Sequence, residues 1–249
     1  MATVVVRIAR ILGLILTLSI ACSNATAETI TVACASNFKP TLEKLARAFE
    51  QQSKHRIRIS SASSGVLFAQ INNGAPFQLF FSADAIRPEK LVASGKANEK
   101  SLTTYAIGRL VLLHHQAYTT DPEQVIAHAK RIAIANPAIA PYGVAAKSLL
   151  NNWPVQKDAQ VLQGNNIAQA LQFFQSGHAD AALVAASLLS TQQRQSGIDV
   201  TTLLTRPIRQ KAVLINSQKS TDAAMAFMAF IRSGTARQII TDSGYLMPL

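Results

Sequence analysis

The chain has 249 residues, and its 24 Lys and Arg against 13 Asp and Glu give a formal net charge of +11. The cationic residues are scattered, with no basic stripe interleaved with aromatics, which excludes nucleic acid as an expected partner and leaves a solvated basic surface that can attract anions at long range. Its two cysteines, Cys22 and Cys34, are too few for a disulfide framework, so stability must come from a packed core.

The N-terminus reads as an export signal. Arg7 and Arg10 form a short positive region, and Ile11 to Ala21 is an apolar stretch too short for an ordinary membrane span. Ala25-Thr26-Ala27 has the small-x-small form of a cleavage site, which makes Glu28 the expected mature N-terminus. Ser19-Ile20-Ala21-Cys22 offers a competing lipoprotein-type signal that would leave Cys22 lipidated, with Ser at a position that prefers Leu. Removing residues 1–27 leaves 222 residues, enough for one large domain or two lobes. The net charge becomes +9, because the segment carries two arginines and no acid. Cys34 then stands alone in an apolar run, as a buried inert thiol would.

Strand-like and helix-like segments alternate through the rest of the chain, the pattern of an α/β architecture with mostly parallel sheets. Ile30 to Ala35 reads as a strand, followed by the small polar turn Ser36-Asn37 and a helix opened by Pro40, with Leu42, Leu45, Ala46 and Phe49 on its apolar face. Ile57-Arg58-Ile59 alternates as a second strand, and Ser64-Gly65 then opens a short helix ending near Asn73-Gly74. Leu79-Phe80-Phe81 reads as a buried strand and Pro88 to Ser94 as a helix stopped by Gly95. Arg109–His114 and Arg131–Ala135 are further strands, and Val144–Leu150 is a helix after Pro141-Tyr142-Gly143. Asn166–Gln175 is a helix stopped by Gly177, Ala181–Ala185 a small-residue strand, and Ala212–Ile215 a strand. Thr221 is a plausible N-cap for a helix through Ile231 that Gly234 ends. Gly108 and Arg209–Val213 are candidate crossovers between two lobes.

Ser36-Asn37 and Ser64-Gly65 share one placement: each follows a strand and precedes a helix. In an α/β protein this aims hydroxyls and backbone N–H groups at a crevice where strand ends meet helix starts, a setting for a small anion. On pattern alone both serines could equally be plain helix caps.

Six segments in order resemble the molybdate- and tungstate-binding proteins of bacterial ATP-driven importers. They are Val32-Ala33-Cys34-Ala35-Ser36-Asn37-Phe38, Ser63-Ser64-Gly65, Gly74-Ala75-Pro76-Phe77 leading to Phe80-Phe81-Ser82-Ala83-Asp84, Tyr105 to Leu112, Asn136-Pro137 to Ala146, and Pro207-Ile208-Arg209-Gln210 to Leu214. The resemblance implies a two-lobed type II periplasmic-binding-protein fold with a ligand cleft between lobes. Lobe one would comprise residues 28–108 and 214–249, and lobe two residues 109–213. It implies ligand contacts at Ser36 and Asn37 in the first turn and at Ser64 in the second. It also implies contacts through backbone N–H groups at Tyr142 and at Ile167, which on pattern alone is a core residue. Some members of the family place a tyrosine hydroxyl on the anion from the strand aligned with Leu183-Val184-Ala185; this chain has Ala185, as in members that use the asparagine after the first serine or threonine. Gln78 stands where an acid is common and is expected to serve packing. Asp84 and Arg87 read as a solvated loop pair.

The implied ligand is molybdate or tungstate, delivered to the permease of an ABC importer by a periplasmic monomer, with sulfate, thiosulfate or another small anion as the alternative within the same fold. No cofactor and no direct protein–metal ligand is implied. A donor-only cage suits a tetrahedral dianion without a proton, whereas protonated phosphate would set an O–H against N–H groups. Catalysis is not expected. The five histidines lack metal spacing, Ser36 and Ser64 have no visible base, and GxSxG, P-loop and CxxC motifs are absent from the sequence.

Overall fold

The computed structural model describes residues 27–115, 119–216 and 222–248. The expected leader with its Cys22, and the Thr221 cap, lie outside the described residues. Among the described residues no helix is long and apolar enough to cross a membrane.

Two five-stranded sheets form the framework. In the first, β1 (Thr29–Ala35) pairs in parallel with β2 (Arg56–Ala62) and β3 (Leu79–Phe81), while β10 (Ile208–Leu214) runs antiparallel to β3 and to β4 (Thr103–Gly108). In the second, β6 (Arg131–Ala135) pairs in parallel with β7 (Gln160–Gly164) and β8 (Ala181–Ala185), while β5 (Leu110–His114) runs antiparallel to β8 and β9 (Ile198–Asp199). Each mixed sheet thus has four strands running one way, as expected of mostly parallel sheets, and one reversed strand, β10 in the first and β5 in the second. The reversed strand is in each case the one by which the chain enters that lobe from the other, which alternation of strand and helix patterns cannot reveal.

Helices α1 (Lys39–Gln52), α2 (Ser64–Asn72), α3 (Ile86–Ala93), α8 (Asp222–Ile231) and α9 (Gly234–Asp242) belong to the first lobe. Helices α4 (Pro122–His128), α5 (Pro141–Leu150), α6 (Ile167–Gln175) and α7 (Thr191–Ser196) belong to the second. Gly234 opens α9 rather than ending a helix, because Ser233 caps the new helix by accepting from the Ala236 N–H. Helix α5 begins at Pro141, three residues before the expected start, and this puts Tyr142 inside its first turn.

Strand alternation divides the first lobe's apolar residues between two faces. Ile30, Val32 and Cys34 of β1, Leu79 and Phe81 of β3, and Ala212 and Leu214 of β10 pack in one cluster with α1 and α8. Ala33, Phe80 and Val213 pack on the other face with Leu67 and Ile71 of α2 and Leu91 of α3. Cys34 is completely buried, and burial pushes its thiol pKa up, so it is an inert core residue as expected.

The chain crosses between the lobes at Arg109, between β4 and β5, and again between Val200 and Ile208. β10 is already hydrogen-bonded to β4 from Ile208 onward, so Arg209–Val213 is sheet rather than linker.

Phe38 fixes the turn that carries Ser36 and Asn37. Its ring is fully buried, with centroids 4.4 Å from Tyr105, 5.5 Å from Tyr245 and 5.7 Å from Phe81. Phe38→Ala should lower unfolding stability by about 3–5 kcal/mol in a urea titration, the usual cost of emptying a packed aromatic site. A loss below about 1 kcal/mol would show that this cluster does not hold the turn.

Candidate functional site

Ser36, Asn37 and Ser64 from the first lobe and Tyr142 and Ile167 from the second line one cleft of about 190 Å³, including the part open to solvent. All five residues singled out in the sequence are thus brought together. The rest of the lining is Ala35, Ser63, Ala83, Ala140 and Pro141, so no carboxylate, histidine, lysine or arginine is among the described lining residues.

Helix starts build this cleft. The first N–H groups of a helix have no partner within it and are usually taken by a capping side chain. Here the caps are incomplete. Ser63 caps α2 through the Val66 N–H, and Asn166 caps α6 through the N–H groups of Ala168 and Gln169. The starts of α1 and α5 have no side-chain cap, and α5 has Pro141 in its first turn. The result is that the N–H groups of Asn37, Ser64, Tyr142 and Ile167 have no acceptor among the described residues. Neither Ser36 nor Ser64 is a cap. The Ser36 hydroxyl makes no hydrogen bond among the described residues, and the Ser64 hydroxyl accepts from the Ala83 N–H at 2.9 Å, which leaves its own proton to donate. Two hydroxyls and four backbone N–H groups therefore line a space with helix-start polarity.

Asn37 differs from the expectation in which of its atoms is available. Its side-chain amide donates to Gln210 Oε1 and to the Tyr245 hydroxyl, each at 2.9 Å, and its carbonyl accepts from Tyr245 and from Ser187 Oγ, also at 2.9 Å each. The side chain anchors the turn, and the backbone N–H is the group left over. Tyr142 is 1% exposed, and its hydroxyl accepts from Gln210 Nε2 at 3.1 Å. Burial pushes the hydroxyl pKa values of Tyr105, Tyr142 and Tyr245 up, so all three remain neutral hydrogen-bonding groups. Asp84 and Arg87, expected to be solvated, form a close ion pair with side chains 15% and 20% exposed. Gln78 is buried away from the cleft and accepts from the Thr31 N–H at 3.1 Å, a packing role as expected. Sequence reasoning gave no site role to Gln210, Tyr245, Tyr105 and Ser187, whose partners are remote in the chain; Tyr105 and Gln210 entered it only as members of segments that resemble the family.

Among the described residues, three hydrogen bonds join the lobes around the cleft. The Gly65 N–H donates to the Ile139 carbonyl at 2.9 Å, Ser187 Oγ to the Asn37 carbonyl, and Gln210 Nε2 to the Tyr142 hydroxyl. The first of these depends on glycine. A Cβ at position 65 would lie 2.8 Å from the Ile139 carbonyl oxygen and 3.0 Å from its Cα, both backbone atoms that cannot swing aside.

Comparison with known proteins accords with this geometry. Residues 30–246 match the family model described as bacterial extracellular solute-binding protein. The chain belongs to that family. Within reach of it in sequence are the molybdate-binding protein ModA of Azotobacter vinelandii, 36% identical over 234 residues covering 91% of this chain and 92% of that protein, and ModA of Rhodobacter capsulatus, 33% identical over 226 residues covering 89% and 90%. A solved periplasmic molybdate-binding protein of A. vinelandii superposes with a TM-score of 0.81 at 36% identity, over 88% of this chain and all of that one. The two-lobed architecture of the family is the one seen here, with the cleft between the sheets.

Gly65→Ala should keep the lobes from meeting. Under solution conditions that close the wild-type protein, small-angle scattering should give the variant the larger radius of gyration. Equal radii would show that the seam absorbs a methyl group.

Proposed function

We propose that the protein is an extracytoplasmic solute-binding protein that captures molybdate or tungstate and delivers it to the permease of an ABC importer. The single observation that carries this reading is the set of unpartnered donors: hydroxyls of Ser36 and Ser64 and backbone N–H groups of Asn37, Ser64, Tyr142 and Ile167, in a cleft whose described lining has no carboxylate. The binding of molybdate by relatives at 33–36% identity supports the choice of anion.

The chemistry follows from the donor set. Molybdate and tungstate are tetrahedral dianions whose oxygens only accept at neutral pH. Each hydrogen bond to a charged oxygen contributes about 1.5–3 kcal/mol, and helix starts add positive partial charge without a counter-ion. Donors from both lobes meet one anion, so binding favours the closed arrangement over the open one. A permease that reads closed lobes then distinguishes loaded from empty protein. The expected export signal and the membrane-facing role agree, with the mature chain beginning at Glu28 and acting as a monomer in the periplasm. Binding without chemical turnover is the activity proposed, and no cofactor is required for it.

Calorimetric titration with molybdate, tungstate, sulfate and phosphate tests the reading. Molybdate or tungstate should bind far more tightly than phosphate, which brings a proton that no carboxylate of the described lining is present to receive. The affinity should stay level between about pH 6 and about pH 9, because burial raises the Tyr142 hydroxyl pKa and the other described lining groups do not titrate there. Sulfate bound as tightly as molybdate would overturn the specificity. Ser64→Ala should weaken binding by at least ~1 kcal/mol through one lost donor. Unchanged affinity would remove Ser64 from the site.

A further inference from the structure

Gln210 is fully buried and uses both ends of its amide. Oε1 accepts from Asn37 Nδ2 and from the Tyr105 hydroxyl, each at 2.9 Å, and Nε2 donates to the Tyr142 hydroxyl at 3.1 Å. The residue lies just beyond the second crossing between the lobes, at a register shift between Gln210 and Lys211 in the pairing of β10 with β4. The first crossing passes the same point. Gly108 pairs with Ile208, and a Cβ on Gly108 would lie 2.3 Å from the Tyr142 hydroxyl and 2.6 Å from Gln210 Nε2. The amide is thus packed against both chain crossings between the lobes. It connects the turn carrying the Asn37 N–H in the first lobe to the helix carrying the Tyr142 N–H in the second.

We propose that Gln210 is a positioning residue that sets the separation of the two halves of the cleft and thereby its choice among tetrahedral dianions by size. This rests on the oxyanion reading above. Molybdate and sulfate share shape and charge and differ in the length of their bonds to oxygen, so donor type cannot separate them and donor spacing can. A contact at the pivot governs that spacing more strongly than one at the rim, because a small shift at the axis displaces every donor of the opposite lobe together. The residue type fits the task. An amide offers an acceptor at one end and a donor at the other, so it bridges the Asn37 amide, the Tyr105 phenol and the Tyr142 phenol without placing a charge under a bound dianion. A carboxylate there would repel any dianion, and an ammonium would attract all of them regardless of size.

Gln210→Met keeps an unbranched side chain of similar length and removes the hydrogen bonds. The readout is the sulfate concentration that displaces half of the bound molybdate, measured with molybdate at a fixed multiple of its own Kd. In the variant, molybdate affinity should fall at least ~10-fold while that sulfate concentration, relative to the molybdate Kd, falls by ~3-fold or more. Tyr142→Phe removes one hydrogen bond and retains the backbone N–H. It should shift the same ratio less, and the double variant should be no worse than Gln210→Met alone, since the two residues share the bond. Loss of affinity for both anions by the same factor, unchanged binding in Gln210→Met, or additive effects in the double variant would overturn the proposal. Should the melting curve show Gln210→Met unfolded, an unaltered ratio in Tyr142→Phe overturns it alone. Wild-type protein that binds neither anion would instead overturn the oxyanion reading, a result distinct from variants that bind with unaltered preference.

Discussion

An N–H at the start of a helix has no partner inside that helix, and once shielded from water it must find an acceptor elsewhere. The cleft of this protein is organised around leaving that requirement unmet by the protein itself. Ser63 and Asn166 satisfy part of the first turns of α2 and α6, while α1 and α5 have no side-chain cap. The donors left over come from the turn before α1, at Asn37, and from the starts of α2, α5 and α6, at Ser64, Tyr142 and Ile167, on two lobes. An anion that accepts from all of them is worth most when the lobes are together. In the function proposed, recognition and closure are in this way one event.

Holding such donors in place requires a rigid surround that adds no competing charge. Neutral groups do this work: Asn37 is clamped by Tyr245, Ser187 and Gln210, and the Ser64 hydroxyl is oriented by the Ala83 N–H. Burial raises the tyrosine pKa values and keeps these phenols protonated. The ion pair of Asp84 and Arg87 and the scattered basic surface lie outside the described lining. The net positive charge can therefore draw anions toward the protein while the choice among them rests on geometry.

Much of the fold was legible in the chain. The apolar runs of Ile30–Ala35 and Leu79–Phe81, the alternation of Ile57-Arg58-Ile59, the helical spacing of Leu42, Leu45, Ala46 and Phe49, and the strand–turn–helix placement of Ser36 and Ser64 depend only on neighbours close in sequence. Most differences share one cause. The reversed entry strands β5 and β10 and the start of β10 at Ile208 depend on partners far along the chain, such as the pairing of Ile208 with Gly108, whereas the helix opened at Gly234 rests on a local cap by Ser233.

The same division applies to the site. The sequence by itself determined which residues could donate, because small hydroxyl residues and helix starts are local features, and residue-by-residue likeness to a family singled out Tyr142 and Ile167 where pattern saw a turn and a core position. Only the tertiary structure decided which atom of each residue remains free. The Asn37 amide is consumed by Gln210, 173 positions away, and by Tyr245, 208 positions away, so its side chain anchors while its backbone is left to donate. Likewise the role of Gly65 follows from the Ile139 carbonyl on the opposite lobe. A hydrogen-bonding group is available only if nothing else in the folded protein has claimed it, and such claims are settled by long-range packing that no local pattern encodes.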